Sequence, residues 1–468
     1  MPSLSLPLAS YELRTAQAST SRLVNCHPEA LPEDSPWPFR LARADGLASW
    51  ATVGTGPIEG LYADHGLLYA VSGGGFYSIT STPTATFRGA VGSSSEIDMD
   101  SNETAVVIVS PPAAYSYTPG TTTFATISDA DFTARGAGDV EFCDNFMLFR
   151  EPDTARFFAL DLGSVSAATS TMFATAEGAP DTLVGMKVDQ RQVLLFGEKS
   201  LELWYNAGVS GFPFERMEPG FIERGCVNGK TVAKLDQSVI WVADDYTVRR
   251  LEGLTPVRIS THAVEQWLRS VTLLSLRAYS YSREGHFFYM LTAPEGCFVF
   301  DAATQLWAER STYGSEPAWE WGNPVSFAGK ILVGSTVSNV IAELSPTTYT
   351  ETGPTTQRME WTYTPVYPQG QRVFFDRFEI VGEVGVGLTT GQGSDPEIML
   401  SWSDDGGQTW FNAPNRKLGK IGEYGSRVFW SGLGSCSSAH GRVFRAAVSD
   451  PVRFTVTDTI LTHRNGRL

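Results

Sequence analysis

Cysteine is scarce in this 468-residue chain. Five are present, Cys26, Cys143, Cys226, Cys297 and Cys436. Their odd number, wide spacing and lack of any C-x-x-C pair argue against a disulfide framework or a thiolate zinc site and for buried free thiols. No stretch approaches the ~18 consecutive apolar residues of a membrane helix, so no membrane-spanning segment is expected. The opening "MPSLSLPLASYELR" has no basic region, and Pro7 interrupts its apolar part. It is not a convincing signal peptide, and folding in the cytosol is expected. The G-x-S-x-G elbow, the G-x-x-x-x-G-K-[ST] phosphate loop and H-E-x-x-H are all missing. The six histidines are scattered. No catalytic, cofactor-binding or metal residues are expected.

Glycine (45), proline (26) and aromatic residues (12%) are plentiful. Short apolar runs broken by Gly, Pro, Asn and Asp indicate an all-β chain. Formal net charge is −16 and is unevenly placed. From Glu351 onward there are 12 basic and 12 acidic residues, so residues 1–350 carry 23 basic against 39 acidic and hold the whole excess. An acidic body argues against a sequence-reading DNA binder, which needs a basic footprint. It is compatible with a conduit through which DNA slides without sticking.

A hairpin unit recurs along the first 350 residues. Its copies read LLYAVSGGGFYSI, AVVIVSPPAAYSY, FMLFREPDTARFFAL, VLLFGEKSLELWY, VIWVADDYTVRRL, FFYMLTAPEGCFVFD and ILVGSTVSNVIAEL, starting at Leu67, Ala105, Phe146, Val193, Val239, Phe287 and Ile331. Most copies follow another strand and a polar turn. A period of about 40–50 residues with four strands per unit is the signature of a β-propeller. Six or seven blades both fit. In "STHAVEQWLRSV", Ser260 or Thr261 can cap a helix whose apolar face is Val264, Trp267, Leu268 and Val271. The Thr/Pro-rich "LSPTTYTETGPTTQ" marks a boundary. Beyond it, about five strands are expected in a β-sandwich or jelly roll. "PVRFTVTD" alternates there, with Val452, Phe454 and Val456 on one face. The expected division is an N-terminal arm (1–49), a propeller (50–345), a linker (346–357) and a sandwich (358–468).

Within the last segment, "SWSDDGGQTW" carries Ser403, Asp405, Gly407, Thr409 and Trp410 at the spacing of an Asp box. That hairpin motif is associated with sialidases and other propeller glycosidases. The alternative it raises is a carbohydrate-active, sialidase-like or lectin propeller. A sialidase repeats the box in several blades and needs acid and nucleophile residues besides. Here the box occurs once, outside the repeat. It is expected to be a structural hairpin, with Asp405 accepting backbone N–H bonds and Trp410 packed in a core. The oxygen-rich "DMDSNE" (98–103) lacks the glycine and distal glutamate of a calcium loop and is expected to be a solvated turn. Asp244–Asp245 and Asp404–Asp405 are expected at solvated hairpin tips, and Gly73–Gly75 in a turn. Cys436 and His440 lack evident partners.

Five stretches in order, "SRLVNCHPEALP", "GLLYAVSGGGFYSI", "SLELWYNAG", "VRISTHAVEQWLRS" and "SDPVRFTVTDTIL", resemble the packaged-DNA stabilisation proteins, the tail-hub or nozzle proteins of short-tailed phages. The resemblance covers nearly the whole chain. It implies a non-enzymatic virion tail protein assembled in the host bacterial cytoplasm. It further implies a homohexameric ring below the portal-adaptor protein, which closes the channel over packaged double-stranded DNA and later forms its exit conduit. The ring would carry tailspikes or fibres and a tail needle or plug. No catalytic residue carries over.

Overall fold

The computed structural model describes residues 4–312, 318–353, 355–367 and 370–466. Among them, seven four-stranded antiparallel units follow one another as propeller blades, six as separate sheets and one as four strands of a larger sheet. The innermost strands are Ile58–Asp64, Asp98–Ser101, Val140–Cys143, Leu183–Asp189, Ala233–Leu235, Arg277–Arg283 and Trp321–Phe327. Of the two counts open from the sequence, seven is the one found. The expected hairpins form the second and third strands. In the first, Gly73 and Gly74 both take positive φ (+53° and +76°), as a tight two-residue turn requires.

The ring is closed by the N-terminal side of the chain. Gly46–Thr52 pairs antiparallel with Val340–Ser345 as the outer strand of blade 7. Sheet edges are costly to leave open, and this pairing joins first and last blades. Between blades the layers are apolar. Tyr69, Val71, Phe76, Val106, Ile108 and Tyr117 fill one such interface. The expected helix forms at His262–Leu268 with Thr261 as its cap. Val264 and Leu268 are buried in the cluster beneath it, with Trp267 packed at its edge. A second short helix, Ala130–Arg135, was not expected. Only Phe132 of its six residues is buried, which is too little for an apolar periodicity to register.

The sandwich is not built from the C-terminal residues alone. Its first sheet runs through Thr20–Val24, Met359–Thr362, Val443–Val448, Glu397–Ser403 and Phe411–Asn412. Its second runs through Cys26–Ala30, Phe39–Arg43, Thr455–Asn465, Val373–Gly382 and Val428–Ser431. Each sheet therefore receives strands from the first 45 residues. Between the sheets lie Trp361, Trp430, Tyr363, Phe378 and Phe444. The alternation expected at Val452, Phe454 and Val456 holds, with all three buried.

One strand serves both units. Thr20–Val24 pairs antiparallel with Met359–Thr362 and parallel with blade 6 through Val24 and Glu309. Blade 6 and the first sandwich sheet are thereby one continuous eleven-stranded sheet.

Candidate functional site

The charged residues of the innermost strands make the first candidate. "DMDSNE" is not a solvated turn. Asp98 and Asp100 lie in the inner strand of blade 2, where each carboxylate accepts a backbone N–H from blade 3, Val140 at 3.2 Å and Phe142 at 2.7 Å. Glu141 repeats the device, accepting Val188 N–H of blade 4 at 3.0 Å. Inner strands of adjacent blades do not hydrogen-bond to each other as a sheet does. The carboxylates supply the acceptors that their orphaned amides need.

Cations complete this girdle. Lys187 pairs with Glu141. Burial alone would lower the Lys187 pKa, but Glu141 and then Asp98 hold it above its ordinary value. Asp139 receives Arg150 at 2.7 Å and Lys230 at 3.1 Å. Burial would raise its pKa, but Lys230 and Arg150 bring it down to about 2. The axial cavity left between these groups measures about 170 Å³ and touches all seven blades, from Glu59 to Asn323. A duplex whose major groove alone is about 12 Å wide cannot enter it. These paired charges leave only this small cavity between them.

The second candidate is the seam between propeller and sandwich. The Arg22 guanidinium donates to both carboxylate oxygens of Glu309, with Nη2 at 2.7 Å. Asn25, at φ +54°, donates its amide to Ser311 and Arg358 carbonyls at 3.0 and 2.9 Å. Arg43 donates to the carbonyls of Gln357, Asp450 and Val452. The Thr/Pro-rich segment is pinned as well. Thr348 and Thr350 carbonyls accept Gly46 and Leu47 N–H at 2.8 and 2.7 Å. A Cβ on Gly46 would stand 2.4 Å from the Thr348 oxygen, so only glycine fits that approach.

The Asp-box residues do come together. Asp405 accepts Ser403 Oγ at 2.7 Å, Gln408 and Thr409 N–H at 3.0 and 2.9 Å, and Thr409 Oγ at 2.5 Å. Thr409 and then Ser403, through these bonds, push its pKa far below the usual carboxylate range. Gly407 takes φ +98° and donates its N–H to Ser403 Oγ at 2.8 Å. Trp410 differs from expectation. It lies outside the core, half-buried, with its indole N–H on the Gly407 carbonyl at 2.9 Å and the Arg445 guanidinium 3.9 Å above its ring. Its tryptophan stacks on a cation instead of entering an apolar layer. Asp404 is held by the buried Arg442 at 2.7 Å through two bonds. Asp244 and Asp245 likewise pair with Arg224 and Arg249 and are not merely solvated. Cys436 is buried, and its sulfur accepts Ser438 N–H at 3.4 Å.

Gly406, at the hairpin tip, faces the N-terminal segment. Its Cβ position lies 2.9 Å from the Ala16 methyl. The tip, Glu12–Ala16, the helix His262–Leu268 and blade 6 enclose a cleft of about 540 Å³. No pattern in the sequence signals this meeting of residues some 390 positions apart.

Comparison with known families gives two matches. Residues 11–349 match the model described as "Bacteriophage P22 Gp10, beta-propeller", and residues 359–463 that described as "Bacteriophage P22 Gp10, beta-sandwich". No curated protein matches. Among solved structures, the N-terminal domain of Nup159 is similar over 70% of this chain and 99% of its own, at 10% identity and TM-score 0.39. The Neurospora crassa Pan2 WD40 domain is similar over 62% and 90%, at 12% identity and TM-score 0.41. The extracellular domain of the B. thetaiotaomicron protein BT4673 covers 87% of this chain with 59% of its own, at 9% identity and TM-score 0.45.

Proposed function

This chain belongs to the family of bacteriophage P22 Gp10 and is a structural component of a phage tail, and on that premise we propose that six copies form a ring below the portal-adaptor. The ring closes the channel over packaged DNA and later becomes the exit conduit. It also carries the tailspikes or fibres and the needle or plug. Its role is mechanical and involves no catalysis, and its assembly takes place in the bacterial cytoplasm.

The observation that carries the reading is the match to both family models, in order, across the propeller and the sandwich. Two physical points support it. The axis of a single propeller is filled by ion pairs, so a DNA passage has to lie between copies. The acidic excess of residues 1–350 repels phosphate and keeps the wall from binding the genome it guides.

In this reading the arm, propeller, linker and sandwich act as one stiff wall segment, and Ser403, Asp405, Gly407, Thr409 and Trp410 are a structural hairpin. The carbohydrate-active alternative gains nothing from that hairpin, whose acid is consumed by its own turn. The test is a phage lacking this chain. Heads should package DNA and then lose it, becoming nuclease-sensitive, and adding the purified chain should restore retention. Stable, nuclease-resistant heads without it would refute the proposal.

A further inference from the structure

At the seam, two histidines 259 positions apart in sequence meet. His27 lies in Cys26–Ala30, a strand of the second sandwich sheet, and His286 opens the second strand of blade 6. Their ring centroids are 5.1 Å apart at 73°. Glu29, two residues along the same face as His27, places Oε1 3.8 Å from His27 Nε2. Ligand atoms of His27, Glu29 and His286 all lie within 4.8 Å of one another, the only such group of three among the described residues.

Three features make this a site and not a packing accident. First, His286 Nδ1 is 2.8 Å from Asp301 Oδ2, and Asp301 is itself fixed by Ala303 N–H and Thr304 Oγ. A carboxylate on one imidazole nitrogen fixes the ring and its tautomer and leaves Nε2 as a lone-pair donor, as in carboxylate–histidine–zinc arrangements. Second, both imidazoles are largely withdrawn from solvent, with 19% of the His27 side chain and 15% of the His286 side chain exposed. Third, the three groups open on a cavity of about 80 Å³ whose lining has five carboxylates against three guanidinium groups. Phe288 forms its apolar wall, in contact with both rings.

We propose that His27 and His286 with Glu29 bind one zinc-like divalent cation that staples the sandwich to blade 6. Two imidazoles and one carboxylate are a borderline-soft donor set suited to zinc, with water as fourth ligand. Zn–N bonds of ~2.0–2.1 Å put tetrahedral ligands about 3.3 Å apart, so each ligand atom moves inward by roughly 1 Å on binding. Arg40 holds Glu29 Oε2 at 2.5 Å and leaves Oε1 for the ion. Cys26 is no ligand, since its sulfur faces the Glu360 carbonyl at 3.6 Å on the sandwich side.

The test uses the full chain, stripped with chelator and titrated with Zn²⁺ by calorimetry, then loaded with Co²⁺ for visible spectroscopy. One saturable Zn²⁺ per chain and the intense d–d bands of tetrahedral Co²⁺ are expected. His27→Ala and His286→Ala should each abolish both signals. Asp301→Asn, which removes only the orienting carboxylate, should weaken Zn²⁺ binding by about 10–100-fold. Far-UV circular dichroism checks folding, and where an alanine variant fails to fold, His286→Gln carries the same test. Absence of saturable binding, an octahedral cobalt spectrum, or binding retained by the double variant His27→Ala/His286→Ala would overturn the proposal.

Discussion

The Arg22 guanidinium and the Glu309 carboxylate form a forked pair across the seam where the N-terminal strand leaves the sandwich and meets blade 6. The pair sits beside the parallel pairing of Val24 with Glu309, so charge and backbone hold the same joint. Glu309 is 13% exposed, and removing its partner leaves a poorly hydrated carboxylate. Arg22→Ala should cost about 2 kcal/mol. Urea unfolding followed by tryptophan fluorescence measures it, and Arg22→Lys should recover only part, because it lacks the fork.

Asp139 anchors the axial girdle. Its replacement by alanine leaves the half-buried Arg150 and Lys230 without their counter-ion and should cost about 3 kcal/mol. Its pKa is held below the ordinary 3.8, at about 2. This stabilisation is therefore present above pH ~4 and is lost as pH falls through about 2. Acid titration of the parent against Asp139→Asn should show the parent losing stability faster in that window.

Glu351 behaves in the opposite sense. It is 3% exposed, and neither carboxylate oxygen has a hydrogen-bond partner among the described residues. Burial raises its pKa from 4.5 to about 7, against a lowering by Arg310. The folded state prefers the protonated acid, so stability is full below pH 4.5 and declines as pH rises through about 7. The interval corresponds to about 3 kcal/mol. Glu351→Gln should remove that decline, which denaturant midpoints measured from pH 4 to 8 would register.

The Asp-box turn has a structural outcome. Asp405→Ala frees the Gln408 and Thr409 amides and should lower the unfolding midpoint while leaving the propeller's secondary structure intact. Because the Asp405 pKa is depressed, its contribution is present above the ordinary carboxylate pKa and lost as pH falls. Neither parent nor variant should hydrolyse a fluorogenic sialoside. Gly406→Ala should act more locally, pushing the tip off Ala16.

Much of the fold was legible because it is written in local pattern. Two-residue turns, alternating strands and a repeat of fixed period announce blades, and the capped face of Val264 and Leu268 announces a helix. The seam was not legible. That Thr20–Val24 belongs to the sandwich, that Gly46–Thr52 closes the propeller, and that His27 meets His286 are all long-range pairings without local signal. The girdle was misread for a related reason. "DMDSNE" has the composition of a turn, and only its place at the axis shows that Asp98 and Asp100 are acceptors for the next blade.

The most direct test of the account is single-particle imaging of the virion tail. A six-fold ring of this chain directly below the portal-adaptor is predicted, with the DNA passage between copies and no DNA density along any propeller axis. A chain found outside the tail, or as single copies away from the central channel, would contradict it.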